Sequence, residues 1–149
     1  MKSKEMNSSN NTRIIIARLY EDEDIIESLV ELVKQYSIKG GLINGIGAIK
    51  FATLRFYNQE TQEYENKEFN EDLEVTSLMG NISWLKNSME SDPIIHVHVN
   101  LGKKDCSVIG GHLSSKTLVG PTLEVYILET DEVIHRALDE KLNLTLLDL

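Results

Sequence analysis

The chain has 149 residues, 41% of them apolar, and its 15 basic and 24 acidic side chains give a net charge of −9. This length is sufficient for one domain with a hydrophobic core and is too short for two domains of ordinary size. No apolar run reaches the roughly 20 residues of a membrane-spanning helix, and the acidic balance, without a block of Lys and Arg, disfavours unaided binding to DNA.

The chain opens on a polar stretch followed by an apolar one. Residues 1–11 carry few apolar side chains and predict a disordered leader, so a single domain is expected over residues 12–149. Residues 12–20 are β-branched and apolar, and they predict the first strand.

An amphipathic helix is predicted next. In residues 25–36, apolar side chains recur at spacings of three and four and form one stripe. Asp22 or Asp24 is suited to cap the first turn, where acidic side chains also complement the helix dipole. We expect Gly40 and Gly41 to end the helix.

The remainder of the chain reads mainly as strands joined by short turns. Residues 41–58 predict one or two strands in which Gly45 and Gly47 serve a bulge or a close backbone approach, because the third glycine of a dinucleotide fingerprint is absent. Further strands are predicted over residues 64–69, 71–84, 119–130 and 144–149, with two more between 93 and 113 and a short helix over 131–142. This order predicts an α+β fold, a mostly antiparallel β-sheet flanked by helices.

Two features bear on the cellular compartment. The N-terminus has no apolar signal core, so we expect a cytoplasmic protein. The chain has one cysteine, Cys106, which excludes an internal disulfide and fits a reducing compartment. We expect it in a strand, as a small buried hydrophobe.

One stretch of the chain concentrates three of the four histidines. His96 and His98 stand two apart in an apolar run, so their imidazoles share one face of a strand. His112 follows on a second apolar run after a polar turn. A three-residue loop after Gly102 predicts that His96 faces His112. His98 then faces Gly110 and lies diagonal to His112, which leaves all three imidazoles within reach of one ion.

This interpretation is sensitive to the length of the loop. A loop longer or shorter by one residue moves His112 to the opposite face, and a bulge at Gly110 or Gly111 also shifts the register. Three converging imidazoles with an open fourth position are typical of a catalytic or exchangeable metal site, and imidazole suits zinc, copper, iron or nickel. The alternative is that the histidines only form hydrogen bonds.

Two other residues are weighed beside this group. Glu124 lies in a strand whose opposite face is aliphatic, and it is a weak candidate for a fourth ligand, an acceptor for an imidazole N–H or a general base. The alternative, which the pattern favours, is a carboxylate that faces solvent or pairs with Arg55 or a lysine. His135 has no visible partner in the sequence and is expected at the surface.

The string HVHVNLGKKDCSVIGGHL, followed by GPTLEVYI, resembles the signature of the plants-and-prokaryotes-conserved (PPC) domain. Two upstream segments support the resemblance. INGIGAIKFATLRFY, residues 43–57, resembles the glycine-alanine strand region of the family, and DLEVTSLMGNIS, residues 72–83, resembles its Glu-centred strand. The resemblance covers residues 13–131, nearly the whole chain.

The resemblance implies a stand-alone prokaryotic PPC protein, an α/β fold with a mostly antiparallel sheet, and a homotrimer. Such proteins are usually labelled as candidate DNA-binding proteins. Some resemble metal proteins in which a divalent transition ion is held by the histidines that match His96, His98 and His112. In this chain we expect that ion to be zinc. The segment that contacts partner transcription factors in plants matches Asp72, Leu73, Glu74, Val75 and Thr76. The chain has no AT-hook, so direct DNA binding does not carry over.

Two functions from different classes remain open. The first is a homotrimeric binding module that contacts other copies of itself and a protein partner or DNA. The second is a small metal-dependent enzyme of hydrolytic type, in which the ion lowers the pKa of a bound water and Glu124 moves a proton. The sequence names no substrate.

Overall fold

The computed structural model describes residues 1–7, 12–86 and 91–149. Within these ranges the chain forms one helix, α1 (Ile25–Tyr36), and ten strands. The strands are β1 (Lys2–Asn7), β2 (Arg13–Tyr20), β3 (Gly41–Asn58), β4 (Glu63–Phe69), β5 (Leu73–Leu85), β6 (Ile94–Gly102), β7 (Val108–Leu113), β8 (Leu118–Glu129), β9 (His135–Asp139) and β10 (Leu144–Leu147). No helix in the described ranges is long and apolar enough to cross a membrane.

Both ends of the chain differ from the sequence-based expectation. Residues 2–7 are the strand β1 and pair with β2, where the sequence predicts a disordered leader; residues 8–11 of that leader lie outside the described residues. The short helix predicted over residues 131–142 is wrong, because β9 and β10 form a hairpin there and β9 pairs in parallel with the end of β5. In both places the chain lies beside the open edge of a strand, and the backbone N–H and C=O groups of the two form ladder hydrogen bonds. This pairing overrides a local sequence preference that does not predict a strand.

Helix α1 forms over the predicted residues. The carboxylate of Asp24 caps it by accepting hydrogen bonds from two backbone N–H groups of the first turn, at 2.9 and 3.1 Å. The residue that ends the helix is not one of the predicted glycines: Ser37 adopts the left-handed conformation with φ 52° and serves as the C-cap. Gly40 and Gly41 therefore lead into β3 instead of ending the helix.

Strand β3 organises the sheet, because its 18 residues pair with four other strands. Its first half lies between β8 and β5, and its second half pairs with β4 and β7. Because β5 also pairs with β6, and β6 with β7, the strands β3, β5, β6 and β7 close into a ring. The fold is thus mostly antiparallel sheet with a single short helix in the described residues, less helical than the predicted arrangement.

The glycine pair in β3 allows this dense pairing. The register of β3 against β5 shifts between Gly45 and Gly47, which confirms a bulge. Gly47 has φ +154°, and a Cβ atom there would overlap the backbone carbonyl of Thr122 on β8. The close backbone approach that the sequence predicts is therefore present.

The strands alternate between a buried face and an exposed one. The core unites α1 with one face of the sheet, and Leu29, Leu78 and Val97 are examples of its fully buried side chains. The opposite face of β3, β5 and β8 carries exposed apolar side chains, here called the outer patch: Leu42, Ile46, Met79, Tyr126 and Leu128, each 43–60% exposed. Its member Met79 lies directly opposite His98, so the outer patch reaches the histidines.

Candidate metal centre

The hairpin of β6 and β7 brings His98 and His112 face to face. The two residues are direct partners in the ladder, and Gly102 pairs with Val108. The loop therefore has five residues, 103–107, and the predicted three-residue loop is wrong. Because the difference is two residues, the parity of the register is kept and His112 stays on the predicted face.

The longer loop has its own structural basis. Asp105 accepts hydrogen bonds from the backbone N–H and the hydroxyl of Ser107, at 2.9 and 2.6 Å, and these bonds lower the pKa of its carboxyl group. Cys106 follows with φ 65° and is exposed, so the prediction of a buried strand cysteine is wrong. Two backbone hydrogen bonds complete the turn: Cys106 N–H donates to the Lys103 carbonyl at 2.9 Å, and Lys103 N–H donates to the Ser107 carbonyl at 2.8 Å.

The three imidazoles form one cluster, called here the histidine cluster (His96, His98 and His112). Their ring centroids are 5.1 to 5.4 Å apart, and one ring nitrogen of each lies within 4.8 Å of the other two. The Nε2 atoms of His96 and His98 are 3.3 Å apart. Within the described residues, no carboxylate or thiol belongs to this group.

A buried arginine holds one member of the cluster. Arg136, on β9, is 5% exposed and its guanidinium donates to Ser83 Oγ at 2.7 Å, Asn81 Oδ1 at 2.9 Å and the backbone carbonyl of Thr145 at 2.8 Å. Its Nη2 also lies 3.0 Å from Nδ1 of His96. A guanidinium can only donate, so in neutral His96 the Nδ1 atom accepts and the ring proton is on Nε2.

A second arginine and a tyrosine flank the other side of the cluster. Arg55, on β3, is the ladder partner of His112. The ring of Tyr64, on β4, lies 5.5 Å from the ring of His112, and the guanidinium carbon of Arg55 lies 5.9 Å from the Tyr64 ring. The hairpin of β3 and β4 thus forms a wall of the site.

Burial sets the protonation state of the cluster. It is the main cause that lowers the pKa of His112 from 6.5 to about 4, and the positive charges of His96, His98 and Arg55 add to it. Burial is also the main cause that lowers the pKa of His96, followed by the charges of Arg136 and His98. Both imidazoles are therefore neutral at pH 7, which is the form that binds a metal ion.

The donor set fits a transition metal ion with one adjustment. Ligands around a tetrahedral ion with Zn–N bonds near 2.0–2.1 Å lie about 3.4 Å apart, close to the 3.3 Å between the Nε2 atoms of His96 and His98. The adjustment concerns the proton that Arg136 directs to Nε2 of His96, since this proton has to leave before Nε2 binds an ion. A histidine that binds a metal through one ring nitrogen usually donates the N–H of its other ring nitrogen to an acceptor. Arg136 is a donor at that position, so Arg136 and a metal ion compete for His96.

The structure does not bring Glu124 to the cluster. Glu124 is exposed on β8, between Arg18 of β2 and Ile46 of β3. Its neighbour Ile46 is nine residues along β3 from Arg55, on the order of 30 Å of strand. Within one chain Glu124 therefore lies apart from these histidines, because β8 pairs with the other half of β3.

His135 is not the surface residue that the sequence predicts. It is half-buried in β9, beside Trp84 and Val133 in an apolar hollow, and its Nδ1 atom is shielded from solvent and has no hydrogen-bond partner within residues 1–7, 12–86 and 91–149. The segment that matches the plant partner contact is the start of β5. Its exposed members are Asp72, Glu74 and Thr76, whereas Leu73 and Val75 are in the core.

Three site residues were not assigned to the cluster by sequence reasoning: Arg55, Tyr64 and Arg136. Arg55 and Tyr57 alternate with apolar residues on β3, so a polar face was visible there, but nothing in the sequence pairs that face with β7. Arg136 stands in an apolar stretch, IHRAL. An arginine amid apolar residues is a signal for a buried, fully hydrogen-bonded cation.

Comparison with known proteins shows the family and the fold of this chain. A family model described as the Plants and Prokaryotes Conserved (PCC) domain matches residues 6–131. A metal-containing protein from Archaeoglobus fulgidus is 33% identical, with a TM-score of 0.81 and coverage of 100% of this chain and 99% of that one. A candidate DNA-binding protein from Bacteroides thetaiotaomicron is 32% identical, with a TM-score of 0.84 and coverage of 98% and 96%. A plant- and prokaryote-conserved protein from Pyrococcus horikoshii is 28% identical, with a TM-score of 0.81 and 92% of each chain covered.

A curated relative is much longer than this chain. The bifunctional protein GlmU of a Synechococcus strain is 24% identical over 121 residues, which are 80% of this chain and 17% of that protein. The likeness therefore concerns one segment of a larger protein.

Proposed function

Because the chain belongs to the Plants and Prokaryotes Conserved (PCC) domain family, we propose that it is a homotrimeric binding module that holds a divalent transition metal ion, zinc, on His96, His98 and His112. The observation that carries the metal site is the convergence of three ring nitrogens within 4.8 Å of one another. The metal-containing relative from Archaeoglobus fulgidus, alike over its whole length, supports it.

The metal content of the purified, untagged protein tests this site. We expect about one zinc or other transition ion per chain by elemental mass spectrometry, and loss of that ion in His112→Ala, since two remaining imidazoles bind much more weakly than three. His135→Ala is the matched control, because His135 lies outside the cluster, and its metal content should equal that of the parent. No metal after incubation with zinc and dialysis would exclude the site.

The outer patch supports self-association. Exposed apolar side chains on the same face of β3, β5 and β8 are the kind of surface that subunit contacts cover. The acidic charge of −9 makes a protein the favoured partner of the module over DNA. We propose the exposed Asp72, just before β5, and the exposed Glu74 and Thr76 on β5 as its contact residues, supported by their match to the plant segment.

A metal-dependent enzyme is the second candidate function. The observation that favours it is the three-imidazole donor set, to which no carboxylate or thiol of the described residues contributes. A metal site with three protein ligands keeps a fourth position for water or substrate. When bound there, a zinc ion supplies a Lewis acid. Loss of a hydrolytic activity in parallel with the metal of His112→Ala would support this function. An activity that survives the loss of metal would contradict it.

A further inference from the structure

The guanidinium of Arg55 lies beside the histidine cluster without an anionic partner. Arg55 is half-buried, and its Nε atom is shielded from solvent and has no acceptor among the described residues. No ion pair within the described residues involves it; Glu68, on the same face of β4, makes none with it either. Leaving a buried charged donor unpaired is costly, so the side chain is built for an acceptor that comes from outside.

The position of Arg55 aims it at the cluster. It is the ladder partner of His112, and its charge helps to lower the pKa of that imidazole. Its guanidinium also rests against the ring of Tyr64, which contacts His112. Arg55 and Tyr64 therefore flank the histidine cluster on the side of the β3–β4 hairpin.

The second arginine of the site has a different role. The N–H groups of Arg136 donate to Ser83, Asn81, Thr145 and His96, so Arg136 positions the site but has little capacity left for a ligand. Its charge still adds to that of Arg55. Two guanidinium groups beside neutral imidazoles, in a protein of net charge −9, make a local site for an anion.

We propose that Arg55 and the histidine cluster bind a small molecule through an oxyanion, a carboxylate or a phosphate. The planar fork of a guanidinium matches both groups with two parallel hydrogen bonds. The β3–β4 hairpin, which carries Arg55 and Tyr64, is also tied to the β9–β10 turn, where Tyr57 Oη donates to Leu142 O at 2.5 Å and Gln62 Nε2 donates to Lys141 O at 2.9 Å. This inference rests on the proposed metal site, whose open position adds attraction for the same anion.

The test uses the cobalt-loaded protein and two probes, inorganic phosphate and acetate. The visible absorption of cobalt reports a change of its ligands, so each probe is titrated while that spectrum is recorded. We expect saturable binding to the parent and a dissociation constant at least about tenfold higher in Arg55→Gln, with the affinity for cobalt unchanged. Arg18→Gln is the matched control, because Arg18 is an exposed arginine of β2 that contacts Thr122 and Tyr20 far from the cluster.

The outcomes separate the two proposals. One outcome would overturn the anion site and leave the metal site intact. In it, both proteins bind cobalt, and each probe binds Arg55→Gln with the same dissociation constant as it binds the parent. If the parent takes up no cobalt, the metal site fails, and calorimetric titration of the metal-free protein with phosphate decides the anion site. If phosphate binds the metal-free parent and Arg55→Gln weakens this binding tenfold, the anion site is supported. If the titration of the parent gives no measurable heat, the anion site is overturned.

Discussion

At the scale of single residues, the contact between Arg136 and His96 decides how readily the cluster takes up an ion. Arg136 donates to Nδ1 of His96, which directs the ring proton to the Nε2 atom that faces His98. A ligand histidine needs the opposite arrangement, an acceptor at Nδ1 and a free electron pair on Nε2. The arginine thus opposes metal binding both by its hydrogen bond and by its charge.

Arg136→Gln should therefore bind zinc more tightly, by about tenfold or more, because one opposing charge is removed and an amide oxygen can accept from Nδ1. The same variant should unfold at a lower temperature, since it loses buried hydrogen bonds to Ser83 and Thr145. Competition with a colorimetric chelator measures the first effect and calorimetry the second. Ser83→Ala is the control that weakens the arginine's anchoring without removing its charge. Weaker zinc binding by Arg136→Gln would show that Arg136 supports the ion.

The lowered pKa of His112 predicts how the stability of the metal-free protein depends on pH. His112 titrates near 6.5 when unfolded and at about 4 when folded. Between these values the unfolded chain binds the additional proton, so the free energy of unfolding falls as the pH falls from 6.5 towards 4. The burial of His96 acts in the same direction.

Urea unfolding of the metal-free protein across pH 4 to 7 measures this slope. In His112→Gln the slope over this interval should be smaller than in the parent, because one titrating group is gone. His135→Gln provides the comparison with a histidine outside the cluster. Equal slopes in the parent and His112→Gln would contradict the lowered pKa of His112.

At the scale of elements, the close spacing of β5 and β6 fixes the position of His96 and His98 within the histidine cluster. Gly80 lies between the partners of these two histidines, opposite Val97. A Cβ atom at Gly80 would overlap the carbonyl of His96 and the side chain of Val97. The backbone of β6 can approach β5 this closely only because residue 80 has no side chain.

Gly80→Ala should lower the free energy of unfolding by about 2 kcal/mol, in the range for overpacking a tight interior, and should weaken zinc binding because β6 is displaced. Gly102→Ala is the matched control on the same strand pair. A Cβ atom there would meet Thr76 Cγ2 at 3.3 Å, the end of a side chain that can rotate. Denaturant unfolding measures both variants, and equal losses of stability would contradict a specific role of Gly80.

The hairpin of β6 and β7 shows what the sequence can and cannot predict. The alternation of His96 and His98 with apolar residues fixes their face, because strand side chains have a period of two, and the structure confirms it. The direct partner of His112 depends on the length of the loop, and that depends on the turn made by Asp105 and Ser107. Turns of this kind are weakly specified by sequence, so the partner was wrong while the face was right.

Long-range pairing limits prediction in the same way elsewhere. Arg55 and Arg136 reach the cluster through the ladder of β3 with β7 and the short parallel ladder of β9 with β5. Neither ladder has a local signature, since their residues are far apart in the sequence. The helix α1 was predicted well because its apolar period and its cap at Asp24 are both local.

At the scale of the whole molecule, the outer patch and the histidine cluster share one face of the sheet. Met79 belongs to the patch and is the ladder partner of His98. A homotrimer that covers the patch would therefore have the cluster at the edge of its interface.

Replacing Leu42 and Leu128 together by Lys should dissociate the homotrimer, because two charges would have to be buried in an apolar contact. The two residues are neighbours in the ladder of β3 with β8. Light scattering coupled to gel filtration should give three times the 16.9 kDa chain mass for the parent and the mass of one chain for the variant. Leu138→Lys, on the exposed side of β9, is the control, with 60% exposure outside the patch. A parent that is already monomeric would exclude the homotrimer.

In the backbone, the hairpin of β9 and β10 joins the sheet through a parallel ladder of two residue pairs, Trp84 with His135 and Leu85 with Arg136. Side-chain contacts from Arg136 to Ser83 and from Tyr57 to Leu142 add to this attachment. Because its ladder is much shorter than those of the ring of β3, β5, β6 and β7, we expect it to open locally at a lower free energy and its amide protons to exchange first. Each opening withdraws Arg136 from His96 and frees the imidazole. If ion uptake requires this opening, its rate should become independent of the ion concentration once opening is the limiting step.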